Sequence, residues 1–188
     1  MAEAWGRTEI DGVLLRTLMP HVDIRGSFTE IWRDTWTEPI NGASFVQANM
    51  SRSEAGVLRG LHFHLRQVDL WVLLDGRATV GLVDLRGPLS GLTNSPTPSA
   101  TMDFVAGQAL LIPIGVAHGL WASEPVSMLY LVTNEYDGTD EHGFAWNDGD
   151  AGVAWPAGEP VMSERDRIAP SLRDAVAAAR QSGQPPAR

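Results

Sequence analysis

The feature that most constrains the fold is a succession of short segments rich in Val, Leu, Ile, Thr and aromatic residues, separated by glycine, proline or polar residues. Segments of this length and composition are typical of β-strands. Many strands at short spacing predict an all-β sandwich or barrel. The predicted strands are Val13–Thr17, Ser27–Trp32, Ser44–Ser51, Gly56–His64, Leu70–Leu74, Ala78–Leu85, Ala100–Phe104, Gln108–Ile112, Gly119–Ala122 and Ser127–Asn134.

Three other segments carry distinct local signals. Asp75-Gly76 separates two predicted strands, and it predicts a tight hairpin because both residues tolerate positive φ. Gly87–Ser99, rich in Gly, Pro, Ser and Thr, predicts a surface loop. Ser171–Asp174 resembles a helix capping box, and apolar residues follow it at helical spacing. We therefore expect a single domain over residues 1–188, with a core over about 12–171 and a short C-terminal helix and tail over 171–188.

The composition excludes several classes of function. A formal net charge of −9 argues against nonspecific binding to nucleic acids or membrane surfaces, so we expect neither as a partner. No cysteine is available for disulfides or zinc–thiolate sites. The sequence contains no apolar run of ~20 residues and no secretory signal pattern, which predicts a cytoplasmic protein. All basic residues are arginine, so Schiff-base lysine chemistry is excluded and guanidinium groups are left to bind phosphate.

Two segments concentrate the residues that can carry chemistry. The first, 56–69, contains the sequence Arg-Gly-Leu-His-Phe-His, and the second, 113–119, ends in Ala-His-Gly. The Arg-Gly-Leu-His part places Arg59, which can bind an anion, close to His62, which can act as a base. The same two segments also contain three histidines and a carboxylate, which are ligands that a metal could use.

A series of sequence blocks occurs in a characteristic order. The blocks are 23–30 (DIRGSFTE), 45–51 (FVQANMS), 58–62 (LRGLH), 83–86 (VDLR), 112–119 (IPIGVAHG), 134–136 (NEY), 146–148 (WND) and 162–170 (MSERDRIAP). In this order the chain resembles the dTDP-4-dehydrorhamnose 3,5-epimerase family, from about residue 12 to residue 171. The resemblance implies a cupin jelly-roll fold, a homodimer, and epimerisation of a dTDP-linked 4-keto-6-deoxyhexose at C3, C5 or both without a cofactor.

The resemblance also implies roles for individual residues. His62 would be the base that removes a proton next to the C4 carbonyl, Asp166 would orient His62, and Tyr136 would return a proton on the opposite face. A positioned proton-transfer group typically contributes ~10²–10⁴-fold to a rate. The residues that match family contacts to the nucleotide, pyrophosphate or sugar are Arg25, Glu30, Gln47, Asn49, Arg59, His118, Glu141 and Arg165.

Two positions depart from the family pattern. His64 stands where the family usually has glutamine, and Asp69 stands where the family has a lysine that stabilises the enolate. A carboxylate close to a developing enolate is repulsive, by up to ~4 kcal/mol at ~4 Å with an effective dielectric constant of about 20. The usual stabilisation of the enolate is therefore missing, and a narrower activity such as inversion at C3 alone becomes an alternative.

The same two changes fit a metal site. The spacing of His62, His64 and Asp69 resembles the first metal motif of cupins with Asp in place of Glu, and the segment that ends in His118 resembles the second. Alternate residues of a strand face the same side, so His62 and His64 can converge. Three imidazoles and one carboxylate suit Zn, Fe(II), Ni or Mn(II). A histidine bound to a metal cannot also be the free base, so the two readings compete for His62.

Three functions therefore remain open from the sequence. The first is the epimerase, the second is a metal-dependent cupin, and the third is a protein that binds sugar nucleotides without catalysis. A hybrid of the first two is also possible, in which a metal on His64, Asp69 and His118 acts as a Lewis acid for the enolate while His62 remains the base.

Overall fold

The structure is a computed structural model that describes residues 4–36, 40, 42–92, 97–136 and 138–182. Most of its regular elements are strands. The strands are β1 (Gly6–Arg7), β2 (Leu14–Thr17), β3 (His21–Asp23), β4 (Gly26–Phe28), β5 (Gln47–Ser53), β6 (Leu58–Phe63), β7 (Asp69–Asp75), β8 (Arg77–Asp84), β9 (Ser99–Val105), β10 (Gln108–Ile112), β11 (Val116–Ala122), β12 (Val126–Val132) and β13 (His142–Gly143). The helices are α1 (Arg86–Leu89), α2 (Glu164–Arg167), α3 (Leu172–Gln181) and a 3-10 helix at Asp34–Trp36.

Two antiparallel sheets enclose the core. One has the strand order β1-β2-β10-β7-β12-β5, and the other has the order β13-β6-β11-β8-β9. Leu73 of β7 and Leu82 of β8 belong to different sheets, yet both are fully buried in the same hydrophobic cluster. Their alternate neighbours point away from this cluster, as the period of a strand requires. The predicted all-β jelly roll is therefore confirmed as two sheets that pack face to face.

Most predicted strands match observed strands to within a few residues, but Ser27–Trp32 is wrong beyond its first two residues. The strand β4 ends at Phe28, and the chain reaches a 3-10 helix at Asp34. The physical reason is that consecutive side chains here do not alternate between two faces. Ile31 and Trp32 both pack against one hydrophobic cluster, where the Trp32 ring lies edge-on to Phe45 at a centroid distance of 4.7 Å.

The predicted hairpin at Asp75-Gly76 is also wrong. The strands on either side, β7 and β8, lie in different sheets, so the two residues form a corner that carries the chain from one sheet to the other. Gly76 has a φ of +84°, and a Cβ at this position would lie 2.3 Å from the carbonyl oxygen of Pro125. Glycine is needed here for a close backbone contact at the corner, which a local turn signal cannot distinguish from a hairpin.

The predicted loop and the predicted C-terminal helix lie on opposite sides of strands β9 to β13 in the chain. The segment predicted as the loop Gly87–Ser99 starts within helix α1, and its residues 93–96 lie outside the described part of the chain. The C-terminal helix is confirmed as α3, where Ser171 Oγ accepts a hydrogen bond of 3.2 Å from the backbone N–H of Asp174. The predicted tail beyond residue 182 lies outside the described residues. Within the described residues, no helix is both long and apolar enough to cross a bilayer.

Candidate active site

A cavity of about 620 Å³ opens between the two sheets. His62 of β6 and His118 of β11 line it from one sheet, while Trp71 of β7 and Tyr130 of β12 line it from the other. The short helix α2 contributes Asp166 to the same cavity. A molecule bound here would therefore contact side chains from both sheets at once.

His62 and Asp166 form a hydrogen-bonded pair in the wall of this cavity. The Nε2 atom of His62 lies 2.7 Å from Oδ1 of Asp166. Burial acts to raise the pKa of Asp166, but the hydrogen bond and charge of His62, the backbone N–H of Gly60 and the charge of Arg165 outweigh burial and lower this pKa to about 2. Asp166 is therefore ionised and can only accept hydrogen bonds, so the Nε2–H group of His62 donates to it. In the neutral ring, this leaves Nδ1 as the basic nitrogen.

Helix α2 and its neighbours hold Asp166 in place. Ser163 Oγ caps the helix by accepting a hydrogen bond of 3.1 Å from the backbone N–H of Asp166. Arg165 Nε donates to Asp166 Oδ1 over 3.3 Å, and its Nη1 donates to Glu141 Oε2 over 2.8 Å. Its Nη2 also lies 2.8 Å from His62 Nε2, but Nε2 donates its proton to Asp166 and so cannot accept a hydrogen bond from Arg165. Arg165 is therefore paired with the two carboxylates and not with His62.

A second group of side chains lies deeper in the cavity and consists of His64, Asp69 and His118. One potential metal-ligand atom from each lies within 4.8 Å of those of the other two. The three residues are only 6%, 4% and 4% exposed, respectively. His62 is not part of this group, because its ring is hydrogen-bonded to Asp166 on α2. Of the two ligand sets that the sequence left open, the structure therefore brings together the three residues of the set without His62.

The two histidines of this group are held in a defined orientation. His64 Nδ1–H donates to the backbone carbonyl of Asp140 over 2.7 Å, and His118 Nδ1–H donates to the carbonyl of Val116 over 3.0 Å. Carbonyl oxygens only accept, so each Nδ1 carries a proton and a neutral ring keeps its lone pair on Nε2. Burial lowers the pKa of His118 to about 4, which makes this ring neutral at pH 7.

The carboxylate of Asp69 is held by neutral donors. Its Oδ1 accepts a hydrogen bond of 2.7 Å from Gln67 Nε2, and its Oδ2 accepts one of 3.3 Å from Trp71 Nε1. The distance from Asp69 Oδ2 to His118 Nε2 is 3.6 Å, which is too long for a hydrogen bond. The Asp69 side chain and the Nε2 atom of His118 therefore face each other in a buried place without a hydrogen bond between them.

Arg59 brings a cation to the cavity. Its Nε donates to Ser53 Oγ and its Nη2 donates to the backbone carbonyl of Arg52, each over 2.9 Å. These bonds fix the guanidinium along the cavity wall. The hydrogen bonds of Arg59 go to uncharged acceptors, whereas Arg165 is paired with two carboxylates, so Arg59 provides the positive charge that can attract an anionic group into the cavity.

Two of the predicted binding residues lie outside the cavity. Arg25 follows strand β3, its side chain is 84% exposed, and it forms an ion pair of 2.5 Å with Asp23. Glu30 is paired with Arg33. The structure therefore does not bring these two residues to the His62–Asp166 pair within one chain.

Two further predicted residues, Gln47 and Asn49, lie on the edge strand β5. Gln47 Nε2 donates to Asn49 Oδ1 over 2.9 Å, and Gln47 Oε1 accepts a hydrogen bond of 3.0 Å from the backbone N–H of Tyr136. Among the described residues, Ser51 is the member of β5 that lines the cavity. Gln47 and Asn49 therefore support the segment that carries Tyr136 rather than the cavity itself.

The predicted proton donor, Tyr136, is 69% exposed and lines a small depression next to the main cavity. A different tyrosine, Tyr130, lines the main cavity on the sheet opposite His62. Burial together with the carboxylates of Asp69 and Glu141 raises the pKa of Tyr130. Sequence analysis missed Tyr130, although its position two residues after Met128 on the same face of β12 is a usable signal.

Comparison with known proteins decides the family. Residues 7–174 match the sequence family described as dTDP-4-dehydrorhamnose 3,5-epimerase. This chain belongs to that family. Members of the dTDP-4-dehydrorhamnose 3,5-epimerase family recur among its relatives, including the enzyme of that name from Pseudomonas aeruginosa, which is 36% identical over 90% of this chain and 96% of its own length. The spore coat polysaccharide biosynthesis protein SpsL of Bacillus subtilis is 38% identical over 78% of this chain and 96% of its own length.

Solved structures of epimerases have the same fold. The dTDP-6-deoxy-D-glucose-3,5-epimerase RmlC of Legionella pneumophila, in complex with dTDP-4-keto-L-rhamnose, superposes with a TM-score of 0.82 at 28% identity, covering 98% of both chains. The rmlC epimerase of Mycobacterium tuberculosis superposes with a TM-score of 0.78 at 30% identity, covering 98% of this chain and 94% of that one. The cupin-type jelly roll of the dTDP-4-dehydrorhamnose 3,5-epimerase family is thus present over almost the whole chain.

Proposed function

We propose that this chain is an epimerase that inverts C3, C5 or both of a dTDP-linked 4-keto-6-deoxyhexose, for deoxysugar biosynthesis. The observation that carries the proposal is the His62–Asp166 pair in the wall of the cavity between the sheets. The relatives support the substrate class, since the Legionella enzyme was solved with dTDP-4-keto-L-rhamnose. A Streptomyces niveus relative, 33% identical over 88% of this chain, is named dTDP-4-dehydrorhamnose 3-epimerase. The proposed activity therefore includes inversion at C3 alone.

The first step is removal of a proton next to a carbonyl. The C4 carbonyl acidifies the C–H bonds at C3 and C5, so a positioned base can take the proton while the C–H electron pair moves to the C4 oxygen as an enolate. His62 Nδ1 is the basic nitrogen that the geometry leaves available. The carboxylate of Asp166 stabilises the imidazolium that forms and fixes its orientation.

The second step returns a proton to the opposite face of the carbon. His62 and Tyr130 come from opposite sheets, so a sugar between them has the base on one face and a phenol on the other. The raised pKa of Tyr130 keeps its proton in place until the enolate accepts it. We therefore place Tyr130 first as the donor. Tyr136, which matches the family sequence block, is the alternative.

The remaining predicted residues have proposed roles in binding. Arg59 would attract the pyrophosphate, and Arg165, which Glu141 holds, would be a further contact, with His118 beside the sugar. Arg25, Glu30, Gln47 and Asn49 do not line the cavity of their own chain and would reach a substrate in a homodimer. A cytoplasmic location remains part of the proposal, because a chain without cysteine does not depend on an oxidising compartment.

The proposal is tested by following proton exchange. The protein is incubated with dTDP-4-keto-6-deoxyglucose in D₂O, and the protons at C3 and C5 are followed by NMR. We expect solvent deuterium at C3, with or without C5, because each enolate is reprotonated from solvent-exchanged groups. The variant His62→Asn is expected to lose at least ~100-fold in rate, which is the low end of the contribution of a positioned base.

The control is Asp103→Asn, which changes an exposed residue of strand β9 outside the cavity and is expected to exchange at the wild-type rate. Retention of both protons by folded wild-type protein, with the substrate intact, would contradict the proposed function for this substrate. Exchange that persists at the wild-type rate in His62→Asn would contradict the role of His62 alone.

A further inference from the structure

We propose that His64, Asp69 and His118 form a binding site for one divalent transition-metal ion, on the wall of the same cavity as the His62–Asp166 pair. The site uses the two residues that depart from the family pattern, His64 and Asp69, together with one that matches it. Separated in sequence, the three residues meet because strand β6 runs into His64, strand β7 starts at Asp69, and strand β11 carries His118.

The donor set and its size fit such an ion. Two imidazole nitrogens and one carboxylate oxygen are the ligands of Fe(II), Zn and similar ions, and sites with three protein ligands keep positions open for another molecule. The three candidate atoms lie within 4.8 Å of one another. Bonds of about 2.1 Å place neighbouring ligand atoms roughly 3.0 to 3.4 Å apart in octahedral or tetrahedral sites, so binding would draw the three side chains inward.

The histidine rings are already oriented as ligands. Each Nδ1–H is used on a backbone carbonyl, that of Asp140 for His64 and that of Val116 for His118. Histidines that bind metals are typically held in this way through the nitrogen that does not bind, which turns the other nitrogen towards the ion. Both Nε2 lone pairs are thereby free for coordination.

The carboxylate provides an independent reason for a cation. Asp69 is 4% exposed, and within the described residues its hydrogen bonds come from the uncharged side chains of Gln67 and Trp71. The distance of 3.6 Å between Asp69 Oδ2 and Nε2 of the neutral His118 ring is too long for a hydrogen bond. A buried negative charge is costly unless a positive charge compensates it, and an ion between Asp69 and His118 would provide that charge.

The position of the site suggests what the ion does, and this part rests on the proposed function. In the family a lysine stabilises the enolate, and here Asp69 occupies its place. His64, Asp69, His118 and His62 line one cavity, so an ion held by the first three would lie beside the space where the sugar would bind. A metal there would accept the C4 oxygen and stabilise the negative charge that develops when His62 removes the proton.

The binding site is tested without substrate. Untagged protein is stripped with a chelator, dialysed, and titrated separately with Zn(II) and Co(II), and bound metal is measured by inductively coupled plasma mass spectrometry and by the visible absorption of Co(II). We expect one ion per chain. His64→Ala and Asp69→Asn are expected to weaken binding by at least about 100-fold, the upper end of the effect of losing a supporting partner.

Two control variants remove the same residue types elsewhere. His21→Ala on β3 and Asp103→Asn on β9 lie outside the cavity and are expected to bind one ion as the wild type does. The proposed site is wrong if folded wild-type protein binds no stoichiometric ion, or if His64→Ala and Asp69→Asn bind as tightly as the controls.

The role of the ion is tested by D₂O exchange in stripped and metal-loaded protein. We expect at least a tenfold higher rate with metal. In the double variant His64→Gln with Asp69→Lys, which rebuilds the residues usual in the family, we expect no bound ion and exchange that does not depend on metal. Equal rates with and without metal in the wild type would contradict the catalytic role. Binding of an ion without exchange would instead contradict the proposed epimerase function and leave the metal site standing.

Discussion

Two tyrosines compete for the role of proton donor, and their surroundings differ. Tyr130 lines the cavity opposite His62, whereas Tyr136 is largely exposed beside it. A proton must reach the carbon directly, so we expect Tyr130→Phe to slow formation of the epimerised product by at least ~100-fold. Tyr136→Phe is expected to change this rate by less than about tenfold, because its backbone contact with Gln47 survives the substitution. NMR of the sugar products measures both rates.

The tyrosine variants also distinguish removal of the proton from inversion of the sugar carbon. A Tyr130→Phe enzyme that retains His62 should still remove protons, so deuterium exchange with retention of configuration is expected to persist. A Tyr136→Phe enzyme that loses inversion while Tyr130→Phe keeps it would reverse the assignment and restore the donor predicted from the sequence block.

Single residues show how far the sequence determined the site. The motif order placed His62 with Asp166, and the structure joins them by a hydrogen bond of 2.7 Å. The departures at His64 and Asp69 were visible in the sequence, and the hybrid alternative grouped them with His118, but the sequence could not decide between the ligand set with His62 and the set without it. Strand periodicity places His62 and His64 on one face, whereas the ring directions depend on Asp166 and Asp140, which lie far away in the chain.

At the scale of elements, the contact between strands β6 and β11 positions His62 and His118. Gly60 has a φ of +121°, and a Cβ there would lie 2.7 Å from the Cα of Gly119 and 2.8 Å from the carbonyl oxygen of His118. Gly26 has a similar φ of +128°, but a Cβ there would meet nothing within 4 Å. The two glycines therefore have a similar positive φ and differ in the steric contact that a Cβ would make.

We expect Gly60→Ala to lower the free energy of unfolding by about 2 kcal/mol more than Gly26→Ala does, because it adds overpacking to the shared backbone cost. Urea denaturation followed by the fluorescence of the seven tryptophans measures the difference. Equal free energies of unfolding in the two variants would contradict this prediction, because they would show that strands β6 and β11 can move apart without destabilising the fold. The Gly60→Ala variant is also expected to slow D₂O exchange, since it displaces the strand that carries His62.

The elements that the sequence predicted well are those in which local pattern and burial agree. Strand β10 was predicted with its observed bounds, and helix α3 was marked by its Ser171 cap. The hairpin predicted at Asp75-Gly76 was wrong because a positive φ depends on the local sequence. The sheet that each strand joins depends instead on partners that lie far away in the chain. Strand β7 pairs with β10 and β12, and β8 pairs with β9 and β11.

At the scale of the whole molecule, the β3–β4 hairpin forms its own two-stranded sheet and carries exposed Val22, Ile24 and Phe28. An isolated hairpin of two strands is only marginally stable in water, so a surface that covers these side chains would stabilise it. Arg25 lies at the turn of this hairpin, outside the cavity of its own chain. These observations favour the proposed homodimer, in which Arg25 of one chain would reach the cavity of the other.

Mixing the variants Arg25→Ala and His62→Asn tests this arrangement, because each variant alone is expected to lose exchange activity if a site needs both residues. If each site combines Arg25 of one chain with His62 of the other, a heterodimer of Arg25→Ala and His62→Asn contains one intact site. Random reassortment then restores about a quarter of the wild-type exchange rate, because half of the dimers are mixed and each has one intact site of two. Light scattering coupled to size-exclusion chromatography measures the oligomeric state of the same samples. A monomeric wild type would contradict the dimer, and a dimer whose mixed sample stays inactive would place Arg25 and His62 in the site of a single chain.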